Sequence, residues 1–157
     1  MKGNAEIIDI LNDVLTAELT GINQYFLHSR MCGNWGFVQL EQFLRQESID
    51  EMKHADRIIT RILFLEGLPN VQRLGKINIG ETVPEQMASD IALERDAIGR
   101  LNRGVEQAVK VGDNATRALL EEILVSEEEH LDWIETQQSL IATIGLQNYL
   151  ARQTKGG

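Results

Sequence analysis

Only one cysteine, two prolines and 5% aromatic residues occur in these 157 positions. The lone Cys32 excludes an internal disulfide and a thiolate metal site, which suits a reducing compartment. Nothing nearby lowers its pKa, so it is expected to be structural. No apolar run is long enough to span a bilayer, and Met1-Lys2-Gly3-Asn4 leads straight into an amphipathic pattern. The expectation is therefore a cytoplasmic protein with neither a secretion signal nor a membrane anchor. Basic charge is also in deficit: the net charge of -9 argues against nucleic acid or an anionic membrane as partner, and is compatible with attracting small cations. Hydrophobic residues at 43% and charged residues at 25% are an ordinary globular balance, and the length suits one domain over 1–157.

Few prolines and aromatics beside many Leu, Ile, Ala, Glu and Arg indicate an all-α protein. The spacing predicts a first helix from an Asn4 cap to about Gly33, with Ile7, Leu11, Leu15, Glu18, Ile22 and Tyr25 on one stripe. A second carries Leu40, Leu44, Glu47, Glu51, His54, Ile58, Ile62 and Leu65, and stops at Gly67 and Pro69. From Glu66 to about Thr82 the periodicity is lost. About 17 extended residues reach roughly 55 Å, enough to travel the ~45 Å of a 30-residue helix. This segment is expected to be a crossover that lets the second and third helices run parallel. The third helix opens on a capping-box pattern, Thr82-x-x-Glu85, and shows Met87, Ile91, Glu94, Ile98, Leu101, Val105 and Ala108 before Gly112. The fourth starts near Asp113, carries Leu120, Ile123, Glu127, His130, Ile134 and Ile141, and ends at Gly145. Leu146 to Arg152 suits a short fifth helix. Two hairpins and one crossover describe a known four-helix-bundle topology.

Glutamates and histidines occupy places on these stripes where apolar residues belong. Glu51 and His54 are three apart, as are Glu127 and His130, and adding 76 to Glu18, Glu51 and His54 gives Glu94, Glu127 and His130. Residues at i and i+3 share a helix face, so each pair presents a carboxylate and an imidazole to one point. A single such pair is an ordinary solvated face. Two pairs, each with a partner glutamate 33 residues upstream and all on core stripes, are not. Four carboxylates in a low-dielectric core need compensation, and no lysine or arginine shares those stripes. Two divalent cations would balance the four charges, and oxygen and nitrogen donors without sulfur suit iron or manganese.

Further stretches carry a family resemblance over essentially the whole chain. They are Asn23-Gln24-Tyr25-Phe26-Leu27-His28-Ser29-Arg30, Glu47 through Asp56 around Glu51-Met52-Lys53-His54, Ile62 through Asn70, and Gly145-Leu146-Gln147-Asn148-Tyr149-Leu150. With the six candidate ligands, they resemble the bacterioferritins, haem-containing members of the ferritin family. The resemblance implies a ferritin-like four-helix bundle with one long crossover and a short C-terminal fifth helix. It implies two iron ions per subunit, with Glu51 and Glu127 bridging, Glu18 and His54 capping one ion, and Glu94 and His130 capping the other. The implied activity is that of a ferroxidase: Fe²⁺ is oxidised by O2 or H2O2, and Fe³⁺ is stored as mineral in a hollow homo-oligomer, a 24-mer built from dimers.

Met52 sits about 100° around the helix from Glu51, on a second face with Ile49, Leu19, Asn23 and Phe26. Read from its residues, that face is a plain dimer contact. The resemblance makes it the site of haem b shared between two subunits through Met52, with Lys53 near a propionate, an electron route for iron release and a small ferredoxin as reductant. Tyr25 lies two turns after Glu18 and is placed to donate an electron or to hydrogen-bond a ligand; a plain core tyrosine is the other reading. Asp90, one turn before Glu94, is placed to hold a ligand histidine. Asp50 resembles an inner-surface iron position, which Gln46 weakens by standing where some relatives have histidine. Asn34, Glu66 and Asp132 resemble entry-pore residues, and His28 is expected to be structural or at the surface. The rival readings are a ferritin-like di-iron oxidase or manganese catalase without storage, and a haem-binding electron carrier.

Overall fold

A computed structural model describes residues 1–155. The described residues form helices α1 (Ala5–Asn34), α2 (Val38–Phe64), α3 (Val83–Val111), α4 (Asn114–Ile144) and α5 (Leu146–Arg152), without strands. Three of the starts have a side-chain cap: Asn4 accepts from the N–H groups of Glu6 and Ile7, Thr82 from Glu85, and Asp113 from Thr116. Each such cap contributes about 1 kcal/mol. The box at α3 closes differently from the expected pattern, because the Glu85 carboxylate accepts from the Glu81 N–H, one residue before the cap. Phe37 gives α2 no side-chain cap. Instead the Gln39 N–H donates to the Gln153 carbonyl at 3.0 Å, so the end of α5 finishes the start of α2. Gly112, at φ 76, stops α3 in the left-handed conformation that glycine adopts without strain.

The path of the 65–82 crossover fixes the topology. Its groups meet α1 at Asn12, Thr16, Thr20, Gln24 and His28 in that order, so it runs the length of α1 in the same direction. α3 then returns antiparallel to α1: Gln24 meets Asp90, Asp13 meets Arg100 and Glu6 meets Gln107. As α2 is also antiparallel to α1, α2 and α3 are parallel. Gly80 makes the last bend possible. A Cβ there would lie 2.2 Å from the Gln86 backbone nitrogen, a clash no side chain could relieve.

Two apolar clusters fill the bundle. One holds Ile7, Leu11, Leu15, Ile58, Ile62, Leu101, Leu120 and Ile123, and the other Leu40, Leu44, Met87, Ile91, Ile134 and Tyr149. Each fully buried aliphatic side chain contributes roughly 1.5–3 kcal/mol. Between them lies a belt of buried polar side chains on the same four stripes. Among the described residues no helix is long and apolar enough to cross a membrane.

Candidate metal centre

Because the glutamates and histidines occupy stripe positions, packing the stripes forces them inward. Glu18, Glu51, Glu94 and Glu127 are at most 2% exposed, and His54 and His130 8% and 6%. They converge as two sets, Glu18, Glu51, His54 and Glu127 in one and Glu51, Glu94, Glu127 and His130 in the other. Within each set one donor atom per residue lies within 4.8 Å of every other. Glu51 and Glu127 belong to both, which places them between the two points of convergence. Both imidazoles turn Nδ1 inward. That of His54 lies 3.1 Å from Glu127 and 3.4 Å from Glu18; that of His130 lies 3.4 Å from Glu51 and 3.6 Å from Glu94.

This charge is held in place by protons. Burial raises the pKa of Glu51 well above the carboxylate range, and Glu127 and Glu18 raise it further. Burial and Glu127 push Glu94 up to about 8. Burial opposes charge on the imidazoles, yet the surrounding carboxylates outweigh it. Glu127 and Glu18 push His54 up to about 9, and Glu47 and Glu94 push His130 up to about 11. A cation entering either set therefore displaces protons.

Hydrogen bonding leaves the cluster unsatisfied. Glu18 Oε1, Glu47 Oε2, Glu51 Oε1, Glu94 Oε2, Glu127 Oε1 and His130 Nδ1 are buried without a hydrogen-bond partner among the described residues. Orphan atoms of this kind cost about 1–3 kcal/mol each, and all six belong to side chains of the sets that could hold a metal ion. Glu47 Oε2 is only 2.6 Å from His130 Nδ1, but the pair lacks hydrogen-bond geometry. Apart from His54 Nδ1 and Glu18 Oε2, which are hydrogen-bonded at 3.4 Å, these side chains crowd together without hydrogen bonds among themselves, an arrangement suited to a cation. Oxygen and nitrogen donors of this kind fit iron or manganese.

Other candidates divide. Tyr25 is fully buried and its hydroxyl donates to Glu94 Oε1. Asp90 does not hold a ligand histidine. Its carboxylate faces α1 and accepts from Gln24 and from His28 Nδ1, both at 2.9 Å, because it sits a turn closer than Glu94 to the crossover end. His28 is structural, with 0% exposure. His130 Nε2 lies 3.5 Å from Asp50 Oδ2, and the other Asp50 oxygen accepts from Gln46. Asn34, Glu66 and Asp132 are exposed and are not brought together within one chain: Asn34 ends α1, Glu66 follows α2 at the opposite end of the bundle, and Asp132 lies on α4. Met52 is 54% exposed and Phe26 51%, Lys53 next to Met52 is exposed as well, and Met52 points away from the cluster.

Two residues enter the site that sequence reasoning did not assign to it. Glu47, 4% exposed, forms a third set with Asp50 and His130; its place on the α2 stripe was the available signal. Gly21 is buried in the middle of α1, and a Cβ there would lie 3.3 Å from the Glu51 carboxylate. A glycine inside a helical pattern was the clue.

Comparison with known proteins agrees with this geometry. The model of the ferritin-like domain matches residues 8–144. A bacterioferritin of Mycobacterium bovis is 47% identical over 152 residues, covering 97% of this chain and 96% of its own. One from Streptomyces coelicolor is 45% identical, covering 96% and 90%, and one from Brucella melitensis is 43% identical, covering 95% and 92%. A bundle with this crossover, a buried double set of carboxylates and imidazoles, and likeness along nearly the whole length together place the chain in the bacterioferritin family.

Proposed function

We propose that this single-domain chain is an iron-storing ferroxidase of the cytoplasm, acting as a homo-oligomeric shell of the 24-subunit kind built from dimers. The observation that carries this reading is the group of six orphaned buried donor atoms on side chains that converge in overlapping carboxylate and imidazole sets. Fe²⁺ is the substrate. Glu18 with His54, and Glu94 with His130, each hold one ion, while Glu51 and Glu127 lie between them. Two Fe²⁺ ions give one electron each to O2, which takes up two protons and becomes H2O2; with H2O2 as oxidant the products are Fe³⁺ and water. Protons displaced from the two imidazoles and from Glu51 and Glu94 are at hand for this step. Tyr25, through its bond to Glu94, fixes that carboxylate and is placed to supply an electron. Glu47 and Asp50 offer Fe³⁺ a carboxylate path from His130 toward the surface of α2.

Met52 and its two-fold mate would ligate haem b between two subunits, with Lys53 toward a propionate. The exposed thioether supports this, and haem when bound supplies a one-electron route for reductive iron release, with a small ferredoxin as the reductant. The test is an anaerobic Fe²⁺ titration followed by air, on the native chain and on Glu18→Ala and Glu127→Ala, with particle size read by light scattering. The expected result is saturation at about two ions per chain, fast oxidation lost in both variants, and a large shell that fills with ferric mineral. A small particle that binds metal and never accumulates iron would favour a di-metal oxidase or catalase.

A further inference from the structure

Asn12, Thr16, Thr20, Gln24 and His28 stand on α1 at intervals of four, and each receives a hydrogen bond from the crossover. The donors are the Asn70 N–H, Arg73 Nε, and the N–H groups of Gly75, Asn78 and Gly80, at 2.8 to 3.1 Å. All five rungs act as acceptors. Thr16 and Thr20 spend their hydroxyl protons on the carbonyls of Asn12 and Thr16 and face the crossover with lone pairs. The first four rungs cannot titrate in the physiological range. The fifth can.

His28 accepts the Gly80 N–H at Nε2, 3.0 Å away, and so donates from Nδ1 to Asp90 Oδ1. That fixes the neutral tautomer. An added proton must go to Nε2, where it would confront the Gly80 N–H as donor against donor. We propose that His28 is a proton-operated latch, which holds the end of the crossover against α1 and α3 when neutral and releases it when protonated.

The surroundings allow the switch to work. From α3 the charged group in contact with the imidazole is the Asp90 carboxylate, 2.9 Å from Nδ1. From the crossover it meets a backbone N–H, and from α1 its neighbour on Asp90 is the neutral Gln24. Cys32, one turn on, stays a thiol because burial and then Asp90 push it up to about 12; it donates to Gln86, whose amide in turn donates to the Gly80 carbonyl. Gly80 is thus gripped at both ends, and only the His28 end responds to protons. A cleft of about 230 Å³ between α1, α3 and the crossover already borders the Thr20 and Gln24 rungs. Release of residues 78–80 would extend it to Asp90, one turn from Glu94. The latch does not depend on the iron reading.

Amide hydrogen exchange of the assembled protein, corrected for intrinsic rates and followed from about pH 8 to pH 5.5 across imidazole titration, tests this. Protection of residues 78–80 should fall about tenfold or more in the native chain, ahead of residues 68–70 at the non-titrating Asn12 rung. In His28→Gln, which keeps a neutral acceptor near the position of Nε2, it should stay flat. Protection in the native chain that ignores pH, or an equal fall in His28→Gln, would overturn the proposal. If His28→Gln does not fold, the native chain still decides, since residues 68–70 and 78–80 loosening together would also overturn it.

Discussion

The two halves of the metal centre share a ligand pattern and differ in everything around it. Moving 76 residues along the chain converts Glu18, Glu51 and His54 into Glu94, Glu127 and His130. The same shift converts Glu47 into Ile123, Asp50 into Ser126 and Tyr25 into Leu101. So the half at His130 has two more carboxylates and a tyrosine, where the corresponding positions of the other half carry Ile123, Ser126 and Leu101. The difference in protonation follows: His130 is pushed up to about 11 and His54 to about 9. A repeated pair of helices thus supplies two coordination points, and unrepeated neighbours make them unequal. The His54 half has one histidine among three glutamates, and the His130 half adds Glu47 and Asp50 to the same set of donors.

Removing a glutamate common to both sets should erase the comparison altogether. Glu51→Ala or Glu127→Ala should weaken both ions and slow iron oxidation by on the order of 100-fold or more, read by stopped-flow absorbance. Glu18→Ala and Glu94→Ala should each leave one ion bound in an anaerobic titration.

Next in size is the response to pH without metal. The folded-state pKa values of Glu94, His54 and His130 all lie above their unfolded values of about 4.3 and 6.5. The stability their protons contribute is therefore complete below the unfolded values and lost as pH rises through about 8, 9 and 11 in turn. Chelator-treated protein should melt at progressively lower temperature from about pH 5 to pH 9. Metal-loaded protein should resist that change, since cations then replace the protons, and its metal affinity should rise with pH. Equal pH profiles with and without metal would contradict this electrostatic account.

A smaller effect belongs to one half alone. Glu47→Gln should weaken the ion at His130 by about tenfold and leave the ion at His54 unchanged, seen as one altered step in a calorimetric titration. Smallest of all is Gly21→Ala. Alanine gains up to about 1 kcal/mol in helix propensity over glycine, while its Cβ presses on Glu51. Melting temperature should hold or rise as metal affinity falls a few-fold.

The helices and the convergence of the six buried side chains were legible because both depend on local periodicity: ionisable residues at stripe positions such as Glu18 and His130 stand out against an apolar pattern. Glu47 occupied a stripe position too, but its counterpart is Ile123, so the repeat that exposed the other six passed over it. The partner of Asp90 was misread because sequence distance from Glu94 says nothing of which neighbouring helix its carboxylate faces. Asn12, Thr16, Thr20, Gln24 and His28 share one face of α1 at intervals of four. Only the path of the crossover, set by contacts more than 50 residues apart, turns that face into a ladder.

The most direct test of the two-point centre is anomalous diffraction from crystals soaked anaerobically in Fe²⁺. The account predicts two iron peaks in each chain, one among Glu18, Glu51, His54 and Glu127 and one among Glu51, Glu94, Glu127 and His130. A single peak, or iron found only at Glu47, Asp50 and His130, would contradict it.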